Sequence, residues 1–182
     1  NNAALFEKDD IINFTNKSWN DHLNINLLAP SILTKQFAKQ APKKTVSNII
    51  NIIDQRIFNL TPFFMSYTIS KSGLQTLTKT MAMRLGPNIK VNAIAPGPIQ
   101  TPLTNHGPEQ KKAYLDRIPA RTYGNTDAIT AAATFLASEE AKFIHGTTLN
   151  VDGGFNAAGL IFSTDEMLNY ESGPADSWSK TS

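Results

Sequence analysis

Residues 48–54 read N-I-I-N-I-I-D, and this stretch decides the fold. It ends a longer β-branched and apolar run, Thr45–Ile53, which predicts a buried strand. After a loop, apolar residues from Phe64 to about Leu85 recur at spacings of three and four, which predicts a helix. Ile89–Ala95 (I-K-V-N-A-I-A) predicts a second strand that Pro96-Gly97-Pro98 ends. This order of strand, helix and strand predicts a parallel α/β sheet.

The flanking segments continue the alternation. Thr15–Gln40 predicts a helix that Pro30 should bend, and Thr147–Val151 predicts a last strand that turns at Asp152-Gly153-Gly154. Two more helices are predicted at Pro108–Asp116 and Asp127–Ser138, the second capped by Asn125 or Thr126. We therefore expect one domain over residues 1–162 and a polar C-terminal tail over residues 163–182.

Composition narrows the possible functions. The chain has 182 residues, of which 41% are hydrophobic and 18% charged, as in a single globular domain. The net charge of +2 has no long block of one sign, so we expect no nucleic-acid or membrane partner. With no cysteine, disulfides, thiolate catalysis and zinc–thiolate sites are excluded. His22, His106 and His145 lack metal-ligand spacing, so we expect no metal site.

Tyr67 and Lys71 form the most chemically suggestive pair. They stand four residues apart, and on a helix such residues share a face. A phenol has a pKa of about 10, which a nearby ammonium group lowers, so the pair predicts a tuned acid or base. Asp54 directly follows the first strand, and ligands in open α/β sheets bind beyond the carboxyl ends of strands. We expect two strand ends and the start of one helix to form a crevice here.

Several motifs occur together in a fixed order. The sequence reads N-N-A at residues 1–3, W-N-D-H-L-N-I-N-L at 19–27 and I-I-N-I-I-D at 49–54. Y-T-I-S-K follows at 67–71, and V-N-A-I-A-P-G-P-I-Q-T at 91–101. From Asn1 to about Phe155 the chain resembles the C-terminal two-thirds of a short-chain dehydrogenase/reductase. The resemblance implies a Rossmann-like, doubly wound parallel sheet and a reductase that uses a nicotinamide cofactor.

The resemblance also implies roles for individual residues. Its catalytic tetrad falls on Asn26, Asp54, Tyr67 and Lys71. Tyr67 would transfer the proton, Lys71 would lower the pKa of Tyr67 and hold the cofactor ribose, and Asn26 would hold a water that relays protons. The residues that would bind the cofactor are Asn1, Asn2, Ala3, Ile52, Ile53, Tyr67, Lys71, Pro96, Gly97, Ile99 and Thr101.

Position 54 departs from the family pattern, which usually has serine there. A carboxylate donates no hydrogen bond unless protonated, and its charge opposes the oxyanion of ketone reduction. The pteridine reductases of this family carry aspartate at this position, and a phenylalanine at the position of Phe6 that stacks on the pterin. The resemblance therefore implies a pterin-like small molecule bound by Phe6, Asp54, Tyr67 and Pro98.

The leading hypothesis is a cytoplasmic reductase that transfers hydride from NADPH, with NADH not excluded, to a dihydropterin or dihydrofolate. The alternatives are a carbonyl or 3-oxoacyl thioester reductase and a non-catalytic dinucleotide sensor. The family's glycine-rich phosphate loop is absent from this sequence, and we expect it in a segment before position 1. The family's usual assembly is a homotetramer built on the helices at about residues 15–40 and 64–85.

Overall fold

The computed structural model describes the fold of residues 1–101 and 108–159. The tail predicted at residues 163–182 lies outside these ranges. No helix in the described ranges is long and apolar enough to cross a membrane.

The centre of the molecule is a parallel three-stranded sheet. Its strands are β1 (Ser47–Ile52), β2 (Ile89–Pro96) and β3 (Thr148–Val151), hydrogen-bonded in the order β1-β2-β3. Ile49 pairs with Val91 and Ala93 with Thr148, so β2 lies between two parallel neighbours. Both faces of β2 are covered, which explains why its first seven residues are all buried. The predicted Rossmann-like parallel sheet is confirmed.

Asn1 pairs with the other edge of β1. Its backbone nitrogen donates to the Ile50 carbonyl at 2.9 Å, and its own carbonyl accepts from the Ile52 N–H at 2.9 Å. Bonding to residues on either side of Asn51 is the pattern of a parallel strand. Asn1 therefore lies beside the end of β1 that carries the candidate site.

The helical region predicted at Thr15–Gln40 consists of three consecutive parts. These are α1 (Asn16–Leu23), a π-helical turn (Asn24–Leu28) and α2 (Ala29–Gln40). Thr15 starts the helix, because its side chain accepts from the Ser18 N–H in a capping box. Pro30 has no N–H to offer the carbonyl four residues earlier, and the wide π turn lies just before it. The sequence predicted the irregularity at Pro30, and the structure places it one turn earlier.

The next helix, α3 (Met65–Leu85), packs against the sheet. Its buried Leu74 joins Ile53, Ala93 and Ala95 in one apolar cluster. These contacts hold the start of α3 beside the carboxyl end of β1.

The remaining helices are α4 (Pro108–Arg117), α5 (Thr126–Ala137) and α6 (Phe155–Ala158). The predicted cap of α5 is confirmed, because the Asn125 side chain accepts from the Ala128 N–H at 3.0 Å. The other end of α5 is held by Lys90, whose ammonium group donates to carbonyls including that of Leu136. A buried cation at a helix C-terminus satisfies carbonyls that lack partners there.

Candidate active site

Asp54 and Tyr67 are joined by a hydrogen bond. Asp54 lies two residues after the end of β1 and caps a short 3₁₀ helix, Gln55–Ile57, with Oδ1 accepting from the Arg56 N–H at 2.8 Å. Its other oxygen, Oδ2, accepts from the Tyr67 hydroxyl at 2.7 Å. The strand end and the helix start thus place a carboxyl group against a phenol.

Tyr67 is held in its neutral phenol form. Its side chain is buried, and burial raises its pKa well above 10, with a further rise from the charge of Asp54 and the hydrogen bond to it. Arg56 acts in the opposite direction but is outweighed. The sequence predicted a lowered Tyr67 pKa from the nearby Lys71 ammonium group, whereas the net shift is upward, because burial and Asp54 dominate. In this arrangement Tyr67 is suited to donate a proton.

We expect Asp54→Asn to lower the pKa of Tyr67, because the substitution removes the carboxylate charge while keeping the side chain's shape. The measurement is an ultraviolet titration of phenolate absorbance, with Tyr67→Phe identifying which transition belongs to Tyr67. The raised pKa stabilises the fold fully below about pH 10, the ordinary phenol pKa, and this contribution is lost as pH rises through the folded pKa. In Asp54→Asn this loss of stability should begin at the same pH but be smaller in total, because the folded-state pKa of Tyr67 is raised less. An unchanged Tyr67 transition would show that Asp54 does not control the phenol.

Lys71 is buried one helical turn beyond Tyr67. Its ammonium group donates to the Ile52 carbonyl at 2.8 Å and lies 5.7 Å from the centroid of the Tyr67 ring. Burial lowers the pKa of Lys71, although the charge of Asp54 opposes this shift.

Asn26 lies in the π turn and is completely buried. Its amide oxygen accepts from the Leu5 N–H at 2.7 Å, and its amide nitrogen donates to the Leu5 carbonyl at 2.9 Å and the Ser70 hydroxyl at 3.0 Å. Both amide hydrogens are therefore engaged. The backbone carbonyl of Asn26 lacks its usual α-helical donor, because the residue four positions later is Pro30.

Phe6 stands beside Tyr67 in an aromatic group. Its ring is parallel to that of Phe64, with centroids 4.4 Å apart, and meets the Tyr67 ring edge-on at 4.7 Å. The Arg56 guanidinium lies 4.5 Å from the centroid of Phe64. Since 41% of Phe6 is exposed, a flat ligand has access to this group.

The other predicted cofactor residues lie around the neighbouring strand ends. Ile52 ends β1 and Ile53 follows it, with the Ile53 N–H donating to the Ile94 carbonyl of β2 at 2.8 Å. Pro96 ends β2 and is followed by Gly97, Pro98 and Ile99, while Thr101 is half-buried and Asn2 and Ala3 are exposed.

Gly97 marks a close approach between two segments. Its N–H donates to the Val151 carbonyl at 3.0 Å, and a Cβ on Gly97 would lie 2.5 Å from the Cα of Asp152. Only glycine fits this contact without displacing the turn after β3. The segment after β2 is fixed further by the Gly124 N–H, which donates to the Pro98 carbonyl at 3.0 Å.

Sequence reasoning missed three buried polar residues behind Tyr67. Asp9, His22 and Ser66 are all buried and connected by hydrogen bonds. The available signal was the spacing of His22 and Asn26, which are four residues apart and therefore on one helix face. Within the described ranges, no group of three or more acidic or histidine side chains is placed to hold a metal ion.

The parallel sheet and the residues gathered at its strand ends define a Rossmann-like α/β domain. A family model described as enoyl-(acyl carrier protein) reductase matches residues 1–156. The chain belongs to the short-chain dehydrogenase/reductase family.

Individual relatives differ in what they do. The chain is 37% identical over 162 residues to 2-dehydro-3-deoxy-D-gluconate 5-dehydrogenase of Escherichia coli (strain K12), covering 86% of this chain and 64% of the relative. It is 32% identical over 156 residues to 3-oxoacyl-[acyl-carrier-protein] reductase FabG of Thermotoga maritima, covering 85% and 63%.

The structure resembles the crystal structure of FolM Alternative dihydrofolate reductase 1 from Brucella canis complexed with NADP. The TM-score is 0.78 at 33% identity, with 85% of this chain and 61% of that chain covered. The chain thus spans somewhat less than two thirds of the length of each of these proteins.

Proposed function

We propose that the protein is an NADPH-dependent reductase of a dihydropterin or dihydrofolate. The observation that carries this proposal is the hydrogen bond from Tyr67 to Asp54. The similarity to FolM Alternative dihydrofolate reductase 1, a protein complexed with NADP, supports the same substrate class and cofactor.

The charge of Asp54 favours C=N over C=O reduction. Reduction of a ketone builds negative charge on oxygen, which a nearby carboxylate repels. Reduction of a dihydropterin C=N bond instead requires a proton on the ring nitrogen. Tyr67 holds a transferable proton at its hydroxyl, and Asp54 holds that hydroxyl by accepting its hydrogen bond.

Lys71 fits a nicotinamide cofactor. Its ammonium group has three donors, and one of them is used by the Ile52 carbonyl at 2.8 Å. The remaining donors suit the ribose hydroxyls. Bound NADPH supplies the hydride, and Lys71, Pro96, Gly97 and Ile99 are the residues that would hold it.

The backbone of Asn26 suits a water-mediated proton relay to Lys71. The Asn26 side chain is already engaged with Leu5 and Ser70, so we propose that a water is held by its backbone carbonyl instead. Pro30 leaves that carbonyl without its usual helical donor. In this proposal, the role that the sequence predicted for Asn26 belongs to its backbone carbonyl and not to its side chain.

A second candidate is a carbonyl or 3-oxoacyl thioester reductase. The FabG relative of Thermotoga maritima, 32% identical, favours it. A non-catalytic sensor is less well supported, because Tyr67, Lys71 and Asn26 are all present and each side chain is held by its own hydrogen bond.

The test of the proposed function is NADPH oxidation by the full-length protein, followed by absorbance with dihydrobiopterin and, in parallel, with an acetoacetyl thioester. We expect oxidation with the pterin and little or none with the thioester. Oxidation with the thioester alone would replace the pterin proposal with the second candidate. No oxidation with either substrate, in protein that binds NADPH, would favour the sensor.

We propose a cytoplasmic homotetramer built on the helical region Asn16–Gln40 and on α3. Both carry exposed apolar side chains, among them Leu33, Ile69 and Met83, whose burial between subunits would be favourable.

A further inference from the structure

Three buried polar side chains lie behind the candidate active site, and no step of the proposed reaction uses them. Asp9, His22 and Ser66 come from a loop, from α1 and from α3. The Ser66 hydroxyl donates to Asp9 Oδ2, and the Ser66 N–H donates to Asp9 Oδ1 at 3.2 Å. The same hydroxyl lies 3.2 Å from His22 Nδ1. These groups join three separate segments of the chain directly beside Tyr67.

Asp9 supplies the cap that α3 lacks. The residue before the helix, Phe64, has left-handed backbone angles and no side-chain cap bond. Asp9 instead brings its carboxylate to the first turn, where a negative charge and free N–H groups attract each other. Its backbone carbonyl also accepts from the Phe64 N–H at 2.7 Å. Asp9 therefore bonds to Phe64 and to Ser66, one residue on either side of the first residue of α3. Tyr67 directly follows Ser66.

Hydrogen bonds attach segment Leu5–Asp9 to the neighbouring helices at every second residue. Leu5 bonds to Asn26 through both its N–H and its carbonyl. The Glu7 N–H donates to His22 Nε2 at 3.2 Å, so the imidazole carries its proton on Nδ1, 2.8 Å from the Ser18 carbonyl. Asp9 makes the third attachment. Phe6 lies between the first two attachments, so its ring position depends on all three.

We propose that Asp9 is a positioning residue that fixes segment Leu5–Asp9, and with it Phe6, against the helix that carries Tyr67. A flat substrate that binds between Phe6 and the cofactor requires the Phe6 and Tyr67 rings to keep a fixed position and orientation relative to each other. Asp9 maintains this arrangement of the two rings without contacting the substrate. The kinetic part of this inference rests on the proposed function, whereas the structural part does not.

The test is Asp9→Asn in the full-length protein, with Asp10→Asn as the matched control. Asp10 is the neighbouring residue, and within the described part of the chain its side chain bonds inside the turn, to the N–H groups of Ile12 and Asn13 and the Asn13 amide. Hydrogen exchange of segment Leu5–Asp9 and of the first turn of α3 should quicken about tenfold in Asp9→Asn, with β2 unchanged. Asp10→Asn should leave both regions as in the wild type.

The kinetic readout separates positioning from mere stability. Asp9→Asn should raise the KM for dihydrobiopterin about tenfold, a larger change than in kcat. In a Phe6→Ala background the same substitution should add little to KM, because Asp9 acts through Phe6. Asp9→Glu, which keeps the charge, should recover part of the loss.

Two results would overturn the inference. One is unchanged exchange in segment Leu5–Asp9, which decides the matter even if neither substrate is turned over and the proposed function fails. The other is faster exchange with an unchanged KM, which would make Asp9 a structural residue only. If Asp9→Asn does not fold, Ser66→Ala removes the same hydroxyl bond and carries the same expectations.

Discussion

Replacing Tyr67 with phenylalanine should lower kcat for reduction by about 10²- to 10⁴-fold, the usual contribution of a positioned general acid. The hydroxyl is the only atom lost. It donates a hydrogen bond to Asp54 Oδ2 at 2.7 Å, and its raised pKa keeps it protonated at neutral pH. The variant therefore lacks the proton that the ring nitrogen must receive.

The fold should survive this change. Loss of one hydrogen bond to a charged group costs on the order of 1–3 kcal/mol, and Asp54 keeps its bond from the Arg56 N–H. Steady-state kinetics at saturating substrate give kcat, and NADPH titration provides the control, because Lys71 and its bond to Ile52 are unaltered. A variant that retains more than about a tenth of wild-type kcat would remove Tyr67 from the role of general acid.

Asp54→Ser should reverse the preference between substrates. Serine restores a hydroxyl donor, which suits a ketone oxygen, and removes the carboxylate that accepts from Tyr67. We expect turnover of dihydrobiopterin to fall about 100-fold, while turnover of an acetoacetyl thioester is unchanged or rises. The measurement is kcat/KM for both substrates on the same preparation.

Asp127→Ser is the matched control, because Asp127 is an exposed residue in the first turn of α5. It makes the same chemical change away from the site, so both kcat/KM values should stay at the wild-type level. Undiminished pterin turnover in Asp54→Ser would show that the carboxyl group plays no part in proton delivery, and the second candidate function would then be preferred.

The fold could be predicted from the sequence because its strands and helices carry strong local patterns. The run at Thr45–Ile53 and the helical spacing after Phe64 gave β1 and α3 to within about two residues. The pairing of Asp54 with Tyr67 also followed, because a strand end and a helix start meet at one edge of a parallel sheet.

The features that could not be predicted from the sequence depend on contacts between residues that are far apart in the chain. The cap of α3 comes from Asp9, 57 residues before Ser66, and no local motif marks it. The pKa of Tyr67 is set by burial, which cannot be read from the four-residue spacing to Lys71. The engagement of the Asn26 side chain with Leu5 likewise depends on how a loop folds back over the helix.

At the π-helical turn Asn24–Leu28, the number of residues determines the direction in which the side chains before and after the turn point. A π turn holds one more residue than an α turn at the same place, and each residue of an α-helix rotates the next by about 100°. Deleting a single residue between His22 and Pro30 would remove the extra residue of the π turn. It would also turn either His22 away from Glu7 or α2 away from α3. A relative that is one residue shorter at this turn would need other contacts to hold the loop that corresponds to Leu5–Asp9.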